Sequence, residues 1–170
     1  MTIAVKSPQD FTHHPASLRD AMRHLAGGVS VITAGIGEDR TGLTVTSAIS
    51  LSVEPPTMII CVNRGASSWP VIRKYRHFCV NILGSLHQGV AERFSGRGGI
   101  KGPARYDGAT WKSLVTEASV LDDAVASIDC EVEEFIERHS HAIVIGAVKA
   151  ISVNGGEPLV YGRGRYGAFA

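Results

Sequence analysis

The sequence carries almost no net charge. Seventeen Lys and Arg stand against sixteen Asp and Glu in 170 residues, a formal +1. That balance excludes a nucleic-acid protein working through a broad basic face. With 44% apolar residues it also excludes a disordered chain. Cysteine is scarce: Cys61, Cys79 and Cys130 form an odd, widely spaced set, with neither a disulfide framework nor a C-x-x-C pair. Each sits among apolar neighbours and reads as a small buried side chain. No run approaches the roughly 18 apolar residues of a membrane span. The N-terminal MTIAVKSPQDFTHHPAS lacks the apolar core of a secretory signal, so a reducing cytoplasmic location is expected. There is no G-x-S-x-G elbow for a hydrolase. His139 and His141 would share a face of a strand, but no Cys or carboxylate completes a ligand set, and no metal is expected. No repeat or linker divides the chain, whose length fits one domain.

Glycine is in excess instead, at nineteen residues, or about 11%, against a usual ~7%. The glycines have no period and mark turns and close approaches. Residues 1–16 read as a flexible N-terminal arm, and 17–170 as the domain. Ser17 is an N-cap with Asp20 as its capping-box partner. Leu18, Ala21, Met22, Leu25 and Ala26 follow the helical period, and Gly27-Gly28 stop the helix. Strands are then expected at Val29–Ile36, at Leu43–Val53, where apolar residues alternate with Ser and Thr, and at Met58–Val62. Glu54-Pro55-Pro56 separates the last two. Ser67 can cap a helix with Pro70 in its first turn. Phe78–Leu83 is a strand, 86–95 a helix and 96–108 a glycine-rich loop. Residues 127–137, 141–153 and 159–169 supply three more strands. Many strands with few helices, not alternating as βαβ units, predict a mainly β fold: an antiparallel barrel with helices packed on it.

Gly162-x-Gly164-x-x-Gly167 fits G-x-G-x-x-G, but a dinucleotide fingerprint must open a helix in a βαβ unit, and only three residues follow it. The Gly96–Gly102 stretch lacks the G-K-[ST] ending of a phosphate loop and reads as a mobile loop lining a site. Two segments carry more. Thr44-Val45-Thr46-Ser47-Ala48-Ile49-Ser50 is a hydroxyl-rich strand, which plain β-propensity would also produce. In Cys61-Val62-Asn63-Arg64-Gly65-Ala66-Ser67-Ser68-Trp69 a strand runs into a Ser-Ser helix start, where free N–H groups, hydroxyls and an Arg can hold an anion; an ordinary N-cap is the plainer account. As adjacent strands the two would form a shelf with a phosphate-sized anchor.

Taken together, LRDAMRHLAGGVSVITA, GLTVTSAISLSVEPPTMIICVNRGASSWPVI, FCVNIL, AERFSG, HAIVIGAV and PLVYGRGRYGAF stand in an order that resembles the flavin reductase family. These are small NAD(P)H:flavin oxidoreductases that feed two-component monooxygenases. The resemblance runs from about residue 17 to 169. It implies a split β-barrel homodimer holding FMN, or FAD, near the subunit interface. The ring would lie along Thr44, Val45, Thr46, Ser47 and Ala48. The ribityl chain and phosphate would meet Cys61, Val62, Asn63, Ser67, Ser68 and Trp69. Phe94 and Tyr166 would stand near the flavin or nicotinamide. Many members carry Gly-Asp-His before the late strand; here it is His139-Ser140-His141. His141 would position the nicotinamide, and Ser140 in place of Asp leaves the choice of NADH or NADPH open.

The activity implied is hydride transfer from nicotinamide to flavin, with no side-chain acid or base needed, and delivery of reduced flavin to a partner monooxygenase. The competing reading is a flavin- or haem-binding split barrel without turnover, a sensor or carrier.

Overall fold

The computed structural model describes residues 17–168. The expected arm, and Phe169 at the end of the last expected strand, lie outside the described residues. Antiparallel strands dominate, as the pattern of strands and helices along the chain predicts. A seven-stranded sheet has the order β3 (Thr41–Val45), β2 (Ser30–Ala34), β6 (His77–Ile82), β9 (Ala126–Arg138), β10 (His141–Val153), β5 (Pro56–Asn63), β4 (Ile49–Val53). Its central strands are the apolar runs: all five residues of β2 are buried.

The edges of this sheet are consecutive in sequence. Laid flat, seven strands would separate β3 from β4 by about 29 Å. Only Thr46, Ser47 and Ala48 join them, and that link reaches at most ~14 Å. The sheet therefore has to curl until its edges meet, which makes the split barrel. Its interior is filled by Ile32, Ile60, Phe78, Val80 and Val144.

The expected single strand Leu43–Val53 is thus two strands with a corner at Thr46–Ala48. β3 pairs with β2 and β4 with β5, and the apolar members of the alternation in β4, Ile49, Leu51 and Val53, are exposed. The expected last strand is likewise a hairpin, β11 (Leu159–Gly162) and β12 (Arg165–Ala168). Arg163 (φ 51°) and Gly164 (φ 81°) form its tight turn. With β1 (Gly27–Gly28) this hairpin makes a three-stranded sheet, and β7 (Trp111–Ser113) and β8 (Ser119–Leu121) make a two-stranded one. Val29 N–H donates to the Leu159 carbonyl (2.9 Å), and Leu159 N–H to that of Leu83 (2.8 Å), stitching the small sheet to the barrel.

Helix α1 (Leu18–Met22) has the predicted capping box between Ser17 and Asp20. It ends four residues before the expected Ala26, and none of its residues is buried: Leu18 is 78% exposed and Met22 50%. Helix α2 (Trp69–Tyr75) and helix α3 (Gln88–Phe94) match the expected positions. The loop 96–108 is more ordered than glycine content suggested. It holds two 3-10 turns, and its second half is pinned by buried Arg105, which donates to the Gly42 and Ile100 carbonyls, and by Tyr106 Oη, which donates to the Thr41 carbonyl at 2.6 Å. Tyr106, Phe94, Val29, Leu83 and Leu121 form a second core behind the barrel. Cys79 and Cys130 are buried as expected, whereas Cys61 is half-buried. Burial pushes the Cys130 thiol up to about 12.

Candidate functional site

The corner between β3 and β4 organises the site. Thr46, Ser47 and Ala48 belong to neither strand, and their main-chain N–H groups have no hydrogen-bond partner among the described residues. They are ready-made donors for a ligand's polar edge. Thr44 Oγ1 donates to the Ala91 carbonyl (2.6 Å) and anchors the approach to the corner on α3. Ser47 Oγ donates to the Cys61 carbonyl (3.4 Å) and ties the corner to β5.

In front of the corner is a cleft of 240 Å³, lined by Val29, Thr44, Val45, Thr46, Ser95, Arg97, Tyr161 and Tyr166. Tyr161 and Tyr166 pack edge to face across the hairpin, 5.1 Å between ring centres. Partial burial holds the Tyr166 hydroxyl above its ordinary value, with Arg97 pulling the other way. A second cleft of 420 Å³ adjoins the first, sharing Thr46 and Tyr161. A larger cavity of 730 Å³ beside His87 and Asp122 touches none of the candidate site residues read from the sequence.

The other predicted segment lies at the end of β5. His141 on β10 is paired in register with Asn63, and the Arg64 N–H donates to the Ser140 carbonyl (2.9 Å). Arg64 Nη1 donates to the His139 carbonyl (3.0 Å) and its Nη2 meets Glu137 at 2.7 Å. Ser140 Oγ and His141 Nδ1 are 2.8 Å apart. His139 is not a strand partner of His141. It sits in the β9–β10 turn with φ 50°. The Asn63 side chain accepts from the Gly65 N–H (2.8 Å), shaping the turn into the Ser-Ser pair.

Several expectations change here. Ser68, not Ser67, is the N-cap of α2, and it makes no capping bond; its hydroxyl is buried and has no partner among the described residues. The side chains of Val62 and Trp69 are in the core, Trp69 edge to face with Phe135 at 5.5 Å, so only their main chain can face a ligand. Phe94 is 1% exposed, under Gly42 and against Tyr106 and Trp111, because its apolar ring completes the second core. The next residues, Ser95 and Arg97, face the cleft in its place. Thr44, Val45, Thr46 and Tyr166 do converge on one cleft, and Ser47 links them to the Cys61–His141 side.

Residues 22–170 match the flavin reductase like domain. The chain belongs to this family. The FMN reductase (NADH) RutF 2 of Rhizobium rhizogenes strain K84 is 38% identical over 151 residues, covering 88% of this chain and 86% of that protein. The styrene monooxygenase flavin reductase of Pseudomonas putida S12 superposes with TM-score 0.79 at 27% identity, over 91% of this chain and 98% of that one. The NADH:FAD oxidoreductase SgcE6 of Streptomyces globisporus C-1027, in complex with NAD and FAD fragments, gives TM-score 0.82 at 25% identity, over 99% and 98%. Within this flavin reductase fold, the present residues fit a flavin. The corner supplies unpaired donors, Tyr161 and Tyr166 an aromatic wall, and Ser68 a buried hydroxyl in want of a partner.

Arg19, Arg23, Arg97 and Arg163 line the two clefts and were not among the residues read from the sequence. Arg19 lies within the first helix, Arg23 at its C-cap and Arg163 inside the last glycine cluster.

Proposed function

We infer that the protein is an NADH-dependent flavin reductase acting on FMN, with FAD as the alternative flavin, and that it supplies reduced flavin to a partner monooxygenase. The observation that carries this reading is the row of unpaired main-chain donors at Thr46–Ala48 beside the tyrosine-lined cleft. The family membership and the named activities of the relatives point the same way.

When bound, the flavin supplies the hydride acceptor for the nicotinamide, and the protein's task is orientation and electrostatics. Thr46, Ser47 and Ala48 would donate to the polar edge of the ring and stabilise negative charge developing there, as an oxyanion hole does. Ser68, with Ser67 and the main chain around Asn63, would hold the phosphate. Tyr161 and Tyr166 would close the cleft against water. His141, oriented through Nδ1 by Ser140, would position the nicotinamide. That hydrogen bond keeps the role open to a His without its neighbouring carboxylate, so a non-turnover carrier is not favoured.

The reading extends to a cytoplasmic homodimer. The edge strand β4 leaves Ile49, Leu51 and Val53 more than half exposed, and among the described residues Leu18 and Met22 of α1 are exposed too; a second copy is the natural cover. No helix among the described residues is long and apolar enough to cross a membrane. The test is an assay with NADH and FMN, followed at the nicotinamide absorbance. Flavin-dependent NADH oxidation is expected; none with either flavin or either nicotinamide overturns the reading.

A further inference from the structure

The cleft in front of the corner holds one ionised side chain. Every residue lining it is neutral except Arg97. Arg97 makes no ion pair among the described residues. Glu92, which lines an adjoining cleft of 340 Å³ with it, is bonded instead to Gln88 Nε2 at 2.9 Å. A guanidinium keeps its charge at every working pH. The Tyr166 hydroxyl, pushed up by burial, is pulled back by this charge.

The backbone brings Arg97 to the cleft from between two anchors. Ser95 closes α3: its N–H donates to the Ala91 carbonyl (3.0 Å) and its hydroxyl to that of Glu92 (2.7 Å). At the other end, buried Arg105 donates from Nε to the Ile100 carbonyl at 3.1 Å. Residues 96–99 span the gap and are all exposed. Gly96 (φ 80°) and Gly98 (φ 70°) take the left-handed backbone on either side of Arg97, a conformation open to glycine without steric cost. A Cβ at Gly98 would meet nothing within 4 Å. The glycine therefore serves the path of the chain and not clearance, and that path carries Arg97 to the site.

Flavin reduction changes the charge in this cleft by one unit. A hydride leaves C4 of NADH with both electrons of its bond and bonds to N5 of FMN. NAD⁺ departs, and the isoalloxazine, neutral before, carries one negative charge. That balance asks no proton of the protein. It asks for positive charge that acts weakly on the oxidised ring and strongly on the reduced one. The N–H groups of the corner carry partial charges, whereas Arg97 brings a full one. We propose that Arg97 is a catalytic residue of flavin reduction, whose guanidinium meets the isoalloxazine and stabilises the negative charge that the ring gains with the hydride. The inference rests on the reductase reading.

Arg97 is exposed, so its replacement keeps the fold. Arg97→Gln removes the charge and keeps hydrogen-bonding groups; Arg97→Lys keeps the charge. The full-length wild type and both variants are titrated under anaerobic conditions with FMN and with dithionite-reduced FMN, and assayed with NADH. In Arg97→Gln the affinity for reduced FMN relative to oxidised FMN is expected to fall at least about tenfold, which lowers the midpoint potential of bound FMN by about 30 mV or more. The loss lies mainly in the reduced form, and kcat falls while the KM for NADH holds. Arg97→Lys should keep most of the wild-type ratio. The proposal is overturned if Arg97→Gln binds both forms as the wild type does, if the two forms weaken equally, or if Arg97→Lys loses as much as Arg97→Gln. A wild type that binds both forms but oxidises no NADH would instead defeat the reductase reading, and the ratio of affinities would still decide this one. A wild type that binds neither form overturns both.

Discussion

The Ser47 hydroxyl donates to the main-chain carbonyl of Cys61 at 3.4 Å and ties the corner between the two edges of the curled sheet to β5. The bond fixes the corner that offers its N–H groups to the cleft. Neutral hydrogen bonds contribute about 0.5–1.5 kcal/mol, and a long one lies at the low end. Ser47→Ala is therefore expected to lower thermal stability only slightly. FMN affinity should fall several-fold, because three donors lose their common support. Fluorescence titration of FMN beside a thermal melt checks the two effects separately.

Ser68 separates scaffold from site more sharply. Its buried hydroxyl has no partner among the described residues, and leaving a buried polar group unmade costs about 1–3 kcal/mol. Ser68→Ala is expected to leave the flavin-free protein as stable as the wild type, or more so. A hydrogen bond to a charged phosphate contributes about 1.5–3 kcal/mol, so FMN affinity should drop by about ten- to a hundredfold. Unchanged affinity would remove Ser68 from the phosphate site.

Gly42 shows why one of the many glycines is there. A Cβ at this position would strike the Ile32 carbonyl and the Phe94 ring, the latter at 2.8 Å. Neither can retreat, since Ile32 is in a central strand and Phe94 is packed between Tyr106 and Trp111. Gly42→Ala should destabilise by about 2–3 kcal/mol, as overpacking does. That corresponds to a melting temperature lower by roughly 4–12 °C. Flavin binding should weaken with it, because β3 leads into the corner.

What could be read from the residues follows from what periodicity reports. Runs rich in apolar residues, such as Met58–Val62 and Phe78–Leu83, make their strands legible directly, since a short apolar run bounded by turn signals marks a strand in the core. The Ser17–Asp20 capping box was legible for the same local reason. Alternation in Leu43–Val53 reports which side chains share a face, not whether that face is covered or which neighbour each half pairs with, so the corner at Thr46–Ala48 was hidden. The stripe Leu18–Ala26 shows an apolar face without saying what covers it. The family resemblance places Phe94 and Trp69 near the ligand, and both side chains lie in the core, which no local pattern reveals. Arg163 became visible only when the hairpin turn brought it beside Arg23.

His77 gives the fold an acid-sensitive joint. Its Nε2 accepts from the Gly35 N–H at 3.1 Å, which requires that nitrogen to be unprotonated. Burial holds its pKa below the ordinary 6.5, with the charges of Asp129 and Glu117 opposing the shift. The unfolded chain therefore takes up this proton more readily than the folded one. Stability from His77 is complete above pH 6.5 and is lost as pH falls from there towards the folded value. Denaturant melts between pH 7.5 and about 4.5, the ordinary carboxylate range, should show this decline. His77→Gln, whose amide oxygen can accept the same N–H, should flatten it; an unchanged slope would assign the decline to other groups.

Ser140 and His141 test the nicotinamide end of the site. Ser140 Oγ is 2.8 Å from His141 Nδ1, and a hydroxyl can serve either tautomer of the ring, as donor or as acceptor. If Ser140 acts by orienting the imidazole, its removal costs only what His141 itself contributes. His141→Ala should raise the KM for NADH by about tenfold, one charge-independent contact of ~1.4 kcal/mol, with a smaller effect on FMN. Ser140→Ala should raise the same KM about threefold, within the range of one neutral hydrogen bond. The double variant should be no worse than His141→Ala alone, because contacting residues that act as a unit are not additive. Effects that multiply in the double variant would mean that Ser140 touches the nicotinamide independently, and a larger effect of His141→Ala on FMN than on NADH would move the imidazole to the flavin.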